Sequence, residues 1–291
     1  MKYTHIQSKT ALHKLRPGRL PFDYDLNLYR GCAHGCIYCY AMYSHQYMES
    51  EAYFDEIFIK ENIAEILEKE LHTKKKGKIN LGGVCDSYQP IEVTAELMPN
   101  VLKSLIKHKT PIVISTKSDL LLRDIELIKE LSELAEVNIA ATITTMNEDI
   151  RKKIEPGTVS SERRFQMLER LKKETNANVG VHLMPIIPYL TDTRENLEEI
   201  YRRANEIEAD YVLPGIMYLR GKTRNVFFEK TEKLFPNEHE KLKKMYAYKY
   251  DRSPYKKALY TYINELRKTY GFNHSNKIDK KIKSNEQLKL F

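Results

Sequence analysis

The sequence predicts an α/β fold, a parallel sheet with helices packed outside it. Three observations point there. Short apolar, β-branched runs alternate along the chain with longer segments of helical period. Gly77, Gly157 and several prolines punctuate the joins. With 291 residues, 42% hydrophobic and 30% charged, the chain can bury one large core, or one domain with appendages.

Strands are expected at residues 25–30, 78–84, 111–116, 137–143, 179–184 and 211–216. Between them, helical patterns occupy 62–72, 94–107, 123–134, 161–174 and 194–207. Ser160 or Ser161 and Thr193 stand where N-caps belong, each followed by acidic residues. Six strands suit either an open doubly wound sheet or a partial barrel. In both, a functional site gathers at the C-terminal ends of the strands. Beyond Arg220 the pattern changes to helices rich in Tyr and Lys over residues 229–270. From residue 273 the chain is polar and basic without periodicity, as in a flexible tail. The expected organisation is thus a basic N-terminal segment (1–22), an α/β domain (23–225), a helical extension (226–272) and a tail (273–291).

No apolar run approaches the ~18 residues that cross a bilayer, and the N-terminus leads into no apolar segment, so a cytoplasmic protein without a signal peptide is expected. Net charge is +8, a field that raises the local concentration of anionic partners such as nucleic acid. Residues 1–22 carry Lys2, Lys9, Lys14, Arg16 and Arg19 with no acidic residue.

Three of the four cysteines form a C-x3-C-x2-C triplet, Cys32, Cys36 and Cys39. In a reducing compartment they read as ligands and not as disulfides. Three thiolates can hold three corners of a cubane iron–sulfur cluster and leave the fourth iron open. A zinc ion would need a fourth ligand, with His34 or Cys85 available.

Cys85 follows Asn80-Leu81-Gly82-Gly83-Val84, the end of the second expected strand, and so faces the same mouth. Gly82 and Gly83 let the backbone approach a ligand closely. Cys85 is either a small buried apolar residue or, beside a radical, a hydrogen-atom donor through its weak S–H bond. Lys117 closes the third strand, where its ammonium could pair with a ligand carboxylate. Thr142 and Thr144 end the fourth strand and could add hydroxyls. His182 fits a hydrogen-bonded barrel residue, while Asp86 and Glu92 either touch a ligand or cap a helix.

The segment Arg30-Gly31-Cys32-Ala33-His34-Gly35-Cys36-Ile37-Tyr38-Cys39-Tyr40 resembles the cluster loop of the radical S-adenosylmethionine (SAM) enzymes. Within them it is similar to the spore photoproduct lyase family and its many relatives. Asp86-Ser87-Tyr88-Gln89-Pro90-Ile91-Glu92, Thr116-Lys117-Ser118, Arg123-Asp124, Glu155-Pro156 and Pro185-Ile186-Ile187-Pro188 also read like the wider family, over residues 27–220. The resemblance implies a partial (β/α)6 barrel of the TIM type with a C-terminal helical extension. It implies a [4Fe–4S] cluster on Cys32, Cys36 and Cys39, with SAM on the open iron. SAM is then cleaved to a 5′-deoxyadenosyl radical by an electron from a donor such as flavodoxin or ferredoxin. Tyr38 is expected near the adenine, Gly82 and Gly83 near the SAM amino group, and Lys117 with Thr142 near its carboxylate. Lyase members repair a thymine photodimer in DNA. They use a cysteine downstream of the cluster as returning hydrogen donor, with two tyrosines around the last cluster cysteine in the relay. Cys85, 46 residues beyond Cys39, and Tyr38 and Tyr40 match these positions.

Two features lie outside that resemblance. The helical extension interleaves Tyr246, Tyr248, Lys249, Tyr250, Arg252, Tyr255, Lys256, Lys257, Tyr260 and Tyr262. Such a pattern suits either stacking on an exposed nucleic-acid strand or an amphipathic helix with tyrosines inside. The chain ends Gln287-Leu288-Lys289-Leu290-Phe291, apolar residues on a polar tail, as in a docking peptide. The pentapeptide resembles the motif by which bacterial replication and repair proteins bind the sliding clamp. The sequence therefore predicts a radical SAM enzyme acting on DNA. The alternatives are a radical SAM enzyme acting on RNA, protein or a small molecule, and a metal-stabilised DNA- or clamp-binding adaptor without turnover.

Overall fold

A computed structural model describes residues 1–18, 20–47, 52–73 and 77–272. The docking motif expected at Gln287, Leu288, Leu290 and Phe291 lies outside the described residues. The chain opens with β1 (Lys2–Ile6), β2 (Leu12–Lys14), β3 (Tyr24–Leu26), β4 (Tyr29–Arg30) and, after a 3-10 helix at Tyr40–Tyr47, β5 (Glu56–Lys60). Then follow α1 (Ile63–Thr73), β6 (Ile79–Leu81), α2 (Glu92–Ala95), α3 (Leu97–Lys107), β7 (Ile112–Thr116), α4 (Ile125–Leu134) and β8 (Val137–Thr142). The barrel closes with α5 (Glu148–Ile154), α6 (Ser161–Glu174), β9 (Asn178–Ile186), α7 (Arg194–Glu206) and β10 (Tyr211–Ile216). The extension is α8 (Gly221–Leu234), α9 (Pro236–Met245) and α10 (Ser253–Thr269).

The main sheet has the order β10-β9-β8-β7-β6-β3-β2, parallel from β10 to β3, with β2 antiparallel on the edge. Its six parallel strands coincide with the six runs expected from the sequence, and they lie in chain order, as in a partial TIM-type barrel. β8 is buried at every residue, because the barrel covers one face and helices the other. Ser160 and Thr193 cap α6 and α7, their hydroxyls accepting from Arg163 N and Asn196 N. Among the described residues no helix is long and apolar enough to cross a membrane.

Two departures from expectation place the site. The run at 25–30 splits, because β4 leaves the barrel and pairs with β5 in a second sheet, β1-β5-β4. That turn launches the cysteine loop. The helix at 94–107 breaks at Glu96, whose φ is 45°. Here Glu92, fully buried, accepts from Met98 N at 2.9 Å and Leu97 N at 3.2 Å, so its role is to cap α3. In the extension the structure takes the amphipathic arrangement with tyrosines inside. Tyr246 is buried with its hydroxyl donated to the Met217 carbonyl at 2.7 Å, and Tyr255 and Tyr260 pack on the core. Stacking on a nucleic acid is thereby left to Tyr248 and Tyr250, which are exposed.

Candidate active site

The cysteine loop leaves β4 at Gly31, where φ is +85° and a Cβ would stand 2.5 Å from the Glu56 carbonyl oxygen. A side chain is excluded there. Two connections hold the loop. Gln89, after β6, accepts from Ala33 N at 2.9 Å and donates to the Gly31 carbonyl at 3.2 Å. From the α5–α6 side, Gly157 N donates to the His34 carbonyl at 2.9 Å, and Ile37 N donates to the Ile154 carbonyl at 3.0 Å.

Cys32 and Cys36 are buried and Cys39 is half-buried. The three are near enough for Cys36 to feel the charge of Cys39 and Cys32, and Cys39 that of Cys32. Among the described residues they do not form a set whose ligand atoms all lie within 4.8 Å of one another. Thiolates around one tetrahedral zinc would sit about 3.8 Å apart, closer than these three are held together here.

Charges of both signs surround the thiols. Burial alone would push Cys32 up, but His34 outweighs it and holds the thiol below its ordinary value. Burial would lower His34, yet Cys32 and Asp86 raise it to about 9. Asp86 accepts from Thr116 Oγ1 at 2.8 Å, Lys117 N at 2.9 Å and Tyr88 N at 2.9 Å. With His34 it is held well below the usual carboxylate range despite burial. The Lys117 ammonium lies 5.9 Å from the Tyr38 ring centroid. Burial works against its charge, but Cys36, Glu155 and Asp86 together raise it.

After β6 come Gly82, Gly83 and Cys85. Gly82 has a φ of +86°, and its Cβ would meet the Cys85 carbonyl oxygen at 2.7 Å; a Cβ on Gly83 would meet the Asp25 carboxylate at 2.3 Å. The protein's own packing therefore already demands both glycines. Tyr40 donates its hydroxyl to the Gly83 carbonyl at 2.5 Å and lies near Cys85. Tyr38 is elsewhere: it is buried, and its hydroxyl is given to Glu155. The two tyrosines thus face different partners. Burial, then the charge of Cys32, pushes the Cys85 thiol well above its ordinary value, so it keeps its proton. Thr142 is buried at the end of β8, with its carbonyl taken by Arg164 at 2.7 Å. His182 accepts or donates at Ser115 Oγ, 3.1 Å away, and burial lowers it to about 4, a neutral lumen residue.

With this geometry in place, the sequence model of the Radical SAM superfamily matches residues 26–204. The chain belongs to the radical SAM superfamily. It is 31% identical over 261 residues to an uncharacterized protein of Mycobacterium tuberculosis, covering 87% of this chain and 75% of that one. To an uncharacterized protein of Methanocaldococcus jannaschii it is 34% identical over 183 residues, 62% of this chain and 68% of the other. Among solved structures, spore photoproduct lyase complexed with dinucleoside spore photoproduct superposes with a TM-score of 0.68 at 14% identity, covering 92% of this chain and 79% of that one. Radical SAM enzymes use a [4Fe–4S] cluster and SAM. The donor set fits both: three converging thiols for a cluster, and beside them a cationic lysine and the buried Ser87 hydroxyl, which has no partner among the described residues.

Sequence reasoning assigned no role to Gln89, Asn27, Ser87 or the Glu155–Arg164 pair. Gln89, Ser87 and Glu155 fall inside quoted motifs. Asn27 and Arg164 carry no sequence signal beyond polarity, and only the folded contacts expose them.

Proposed function

We propose that this radical SAM enzyme acts on DNA, repairing a thymine photodimer lesion in the manner of spore photoproduct lyase. Cys32, Cys36 and Cys39 are its cluster ligands, and Gly82, Gly83, Lys117 and Thr142 line the SAM site. When bound, the cluster and SAM supply a 5′-deoxyadenosyl radical that takes a hydrogen atom from the substrate. Cys85 returns a hydrogen atom, and Tyr40, its neighbour, serves the relay. Tyr38 holds the SAM side of the mouth, its hydroxyl anchored on Glu155. A protein reductant such as flavodoxin or ferredoxin feeds the cluster. Gln287, Leu288, Leu290 and Phe291 dock on the bacterial sliding clamp.

One observation carries this reading: Cys85 is a buried thiol near Cys32, pushed by burial well above its ordinary value. The fold shared with a lyase complexed with its dinucleoside lesion supports it. The test is a panel of lesion-containing DNA assayed anaerobically with SAM. Conversion of a thymine photodimer, with product distribution altered in Cys85→Ala, is expected. Turnover confined to RNA, protein or small molecules would overturn the DNA assignment.

Lys117 gives a second test. A charge-assisted hydrogen bond contributes about 1.5–3 kcal/mol, so Lys117→Met should weaken SAM binding by about 10- to 100-fold in calorimetric titration. Unchanged affinity would remove Lys117 from the SAM site.

A further inference from the structure

Cys85 is held by a chain of groups that the proposed radical chemistry does not by itself require. Its sulfur lies 3.7 Å from Asn27 Oδ1, within reach of an S–H donor. The same oxygen accepts from Val84 N at 2.8 Å. On the other side of the carboxamide, Nδ2 donates to Asp25 Oδ2 at 2.6 Å, while Asp25 Oδ1 accepts from Asn80 Nδ2 at 2.8 Å. The backbone of Asn27 is also pinned, its carbonyl accepting from the Lys60 ammonium at 2.7 Å.

These partners settle which way the carboxamide points. Flipping it would set an N–H against the Val84 N–H and an oxygen against the Asp25 carboxylate, losing two hydrogen bonds. Oδ1 must therefore face Cys85, and it can only accept. A thiol at this distance satisfies that oxygen by donating its S–H. The acceptor at Asn27 Oδ1, 3.7 Å from the sulfur, gives the S–H bond one favoured direction.

We propose that Asn27 is a positioning residue that sets the direction of the Cys85 S–H bond, with Asp25 locking the Asn27 carboxamide in turn. The inference rests on Cys85 being the hydrogen donor of the proposed function. In that step the S–H bond breaks and a C–H bond forms on a substrate carbon radical, one electron moving with the hydrogen and a thiyl radical remaining on Cys85. An oriented thiol gives its hydrogen from one geometry, whereas a free rotor can also meet radicals it should not quench.

The chain has four cysteines, and three of them are bound to iron in the loaded enzyme. Its infrared S–H stretching band therefore reports on Cys85 alone, and Cys85→Ala, by erasing the band, assigns it. In the wild type the band should lie at the lower frequency of a hydrogen-bonded thiol. Asn27→Ala should move it to the free-thiol position and broaden it. Asn27→Ser keeps a polar side chain but is too short to reach the sulfur; it should do the same, and it serves if the alanine variant does not fold. A band that stays in place in the variant that folds overturns the proposal. If instead Cys85→Ala leaves product distribution on a thymine photodimer unaltered, the donor reading fails while the infrared shift survives, so the two failures are separable.

Discussion

Cys36→Ala is expected to yield a protein that holds no [4Fe–4S] cluster and forms no 5′-deoxyadenosine from SAM. A cubane with an open iron is bound by three thiolates alone, so no spare ligand exists to compensate for a lost one. Cys32→Ala and Cys39→Ala should behave alike. The informative comparison is Cys85→Ala, which removes the fourth cysteine of the chain. It should retain iron, sulfide, visible absorbance and SAM cleavage, and change only what becomes of the substrate. Metal analysis after anaerobic reconstitution reads all four variants. If Cys85→Ala lost the iron and one of the other three kept it, the ligand set would be wrong and Cys85 would belong to it.

The sequence disclosed the barrel because its six parallel strands are short apolar, β-branched runs separated by amphipathic helices, a pattern that is local. It did not disclose β1 or β5. Their pairing joins Lys2 to Glu56 and Ile6 to Lys60, and β1 is mostly polar, so nothing nearby marks it as a strand. The cluster loop was legible for the same reason as the barrel, since its ligands fall within eight residues. What grips the loop was not. Gln89 reaches back to Gly31 and Ala33, and Glu155 reaches Tyr38, across segments that the folded partial barrel brings together. Gly82 and Gly83 show the converse. They read as room for a ligand, but the structure accounts for both by the Cys85 carbonyl and the Asp25 carboxylate.

Arg164→Met should destabilise the fold by about 3–5 kcal/mol, the cost of removing one partner of a buried ion pair. Arg164 and Glu155 are both fully buried, with Nη1 2.7 Å from Oε2. Arg164 follows Arg163 on helix α6, but unlike that exposed neighbour it is buried. Its guanidinium ties the end of β8 to the α5–α6 connection, donating to the Thr142 carbonyl at 2.7 Å, the Val159 carbonyl at 2.8 Å and the Thr158 hydroxyl. Burial works against the charge on Glu155, but Arg164 first and Lys117 second hold the carboxyl below its ordinary value. Without Arg164 the carboxylate keeps, among the described residues, Tyr38, Thr144 at 3.1 Å and the more distant Lys117. The loss should therefore appear twice, as a lower urea midpoint and as weaker cluster loading, because Glu155 is also the anchor of Tyr38 within the cysteine loop. Adding Glu155→Gln to Arg164→Met removes the stranded charge and should recover part of the stability. The two substitutions should then be strongly non-additive in a double-mutant cycle. Additive losses, or a single-variant cost below about 1 kcal/mol as at an exposed pair, would show that the pair is not what braces the cluster loop against the barrel.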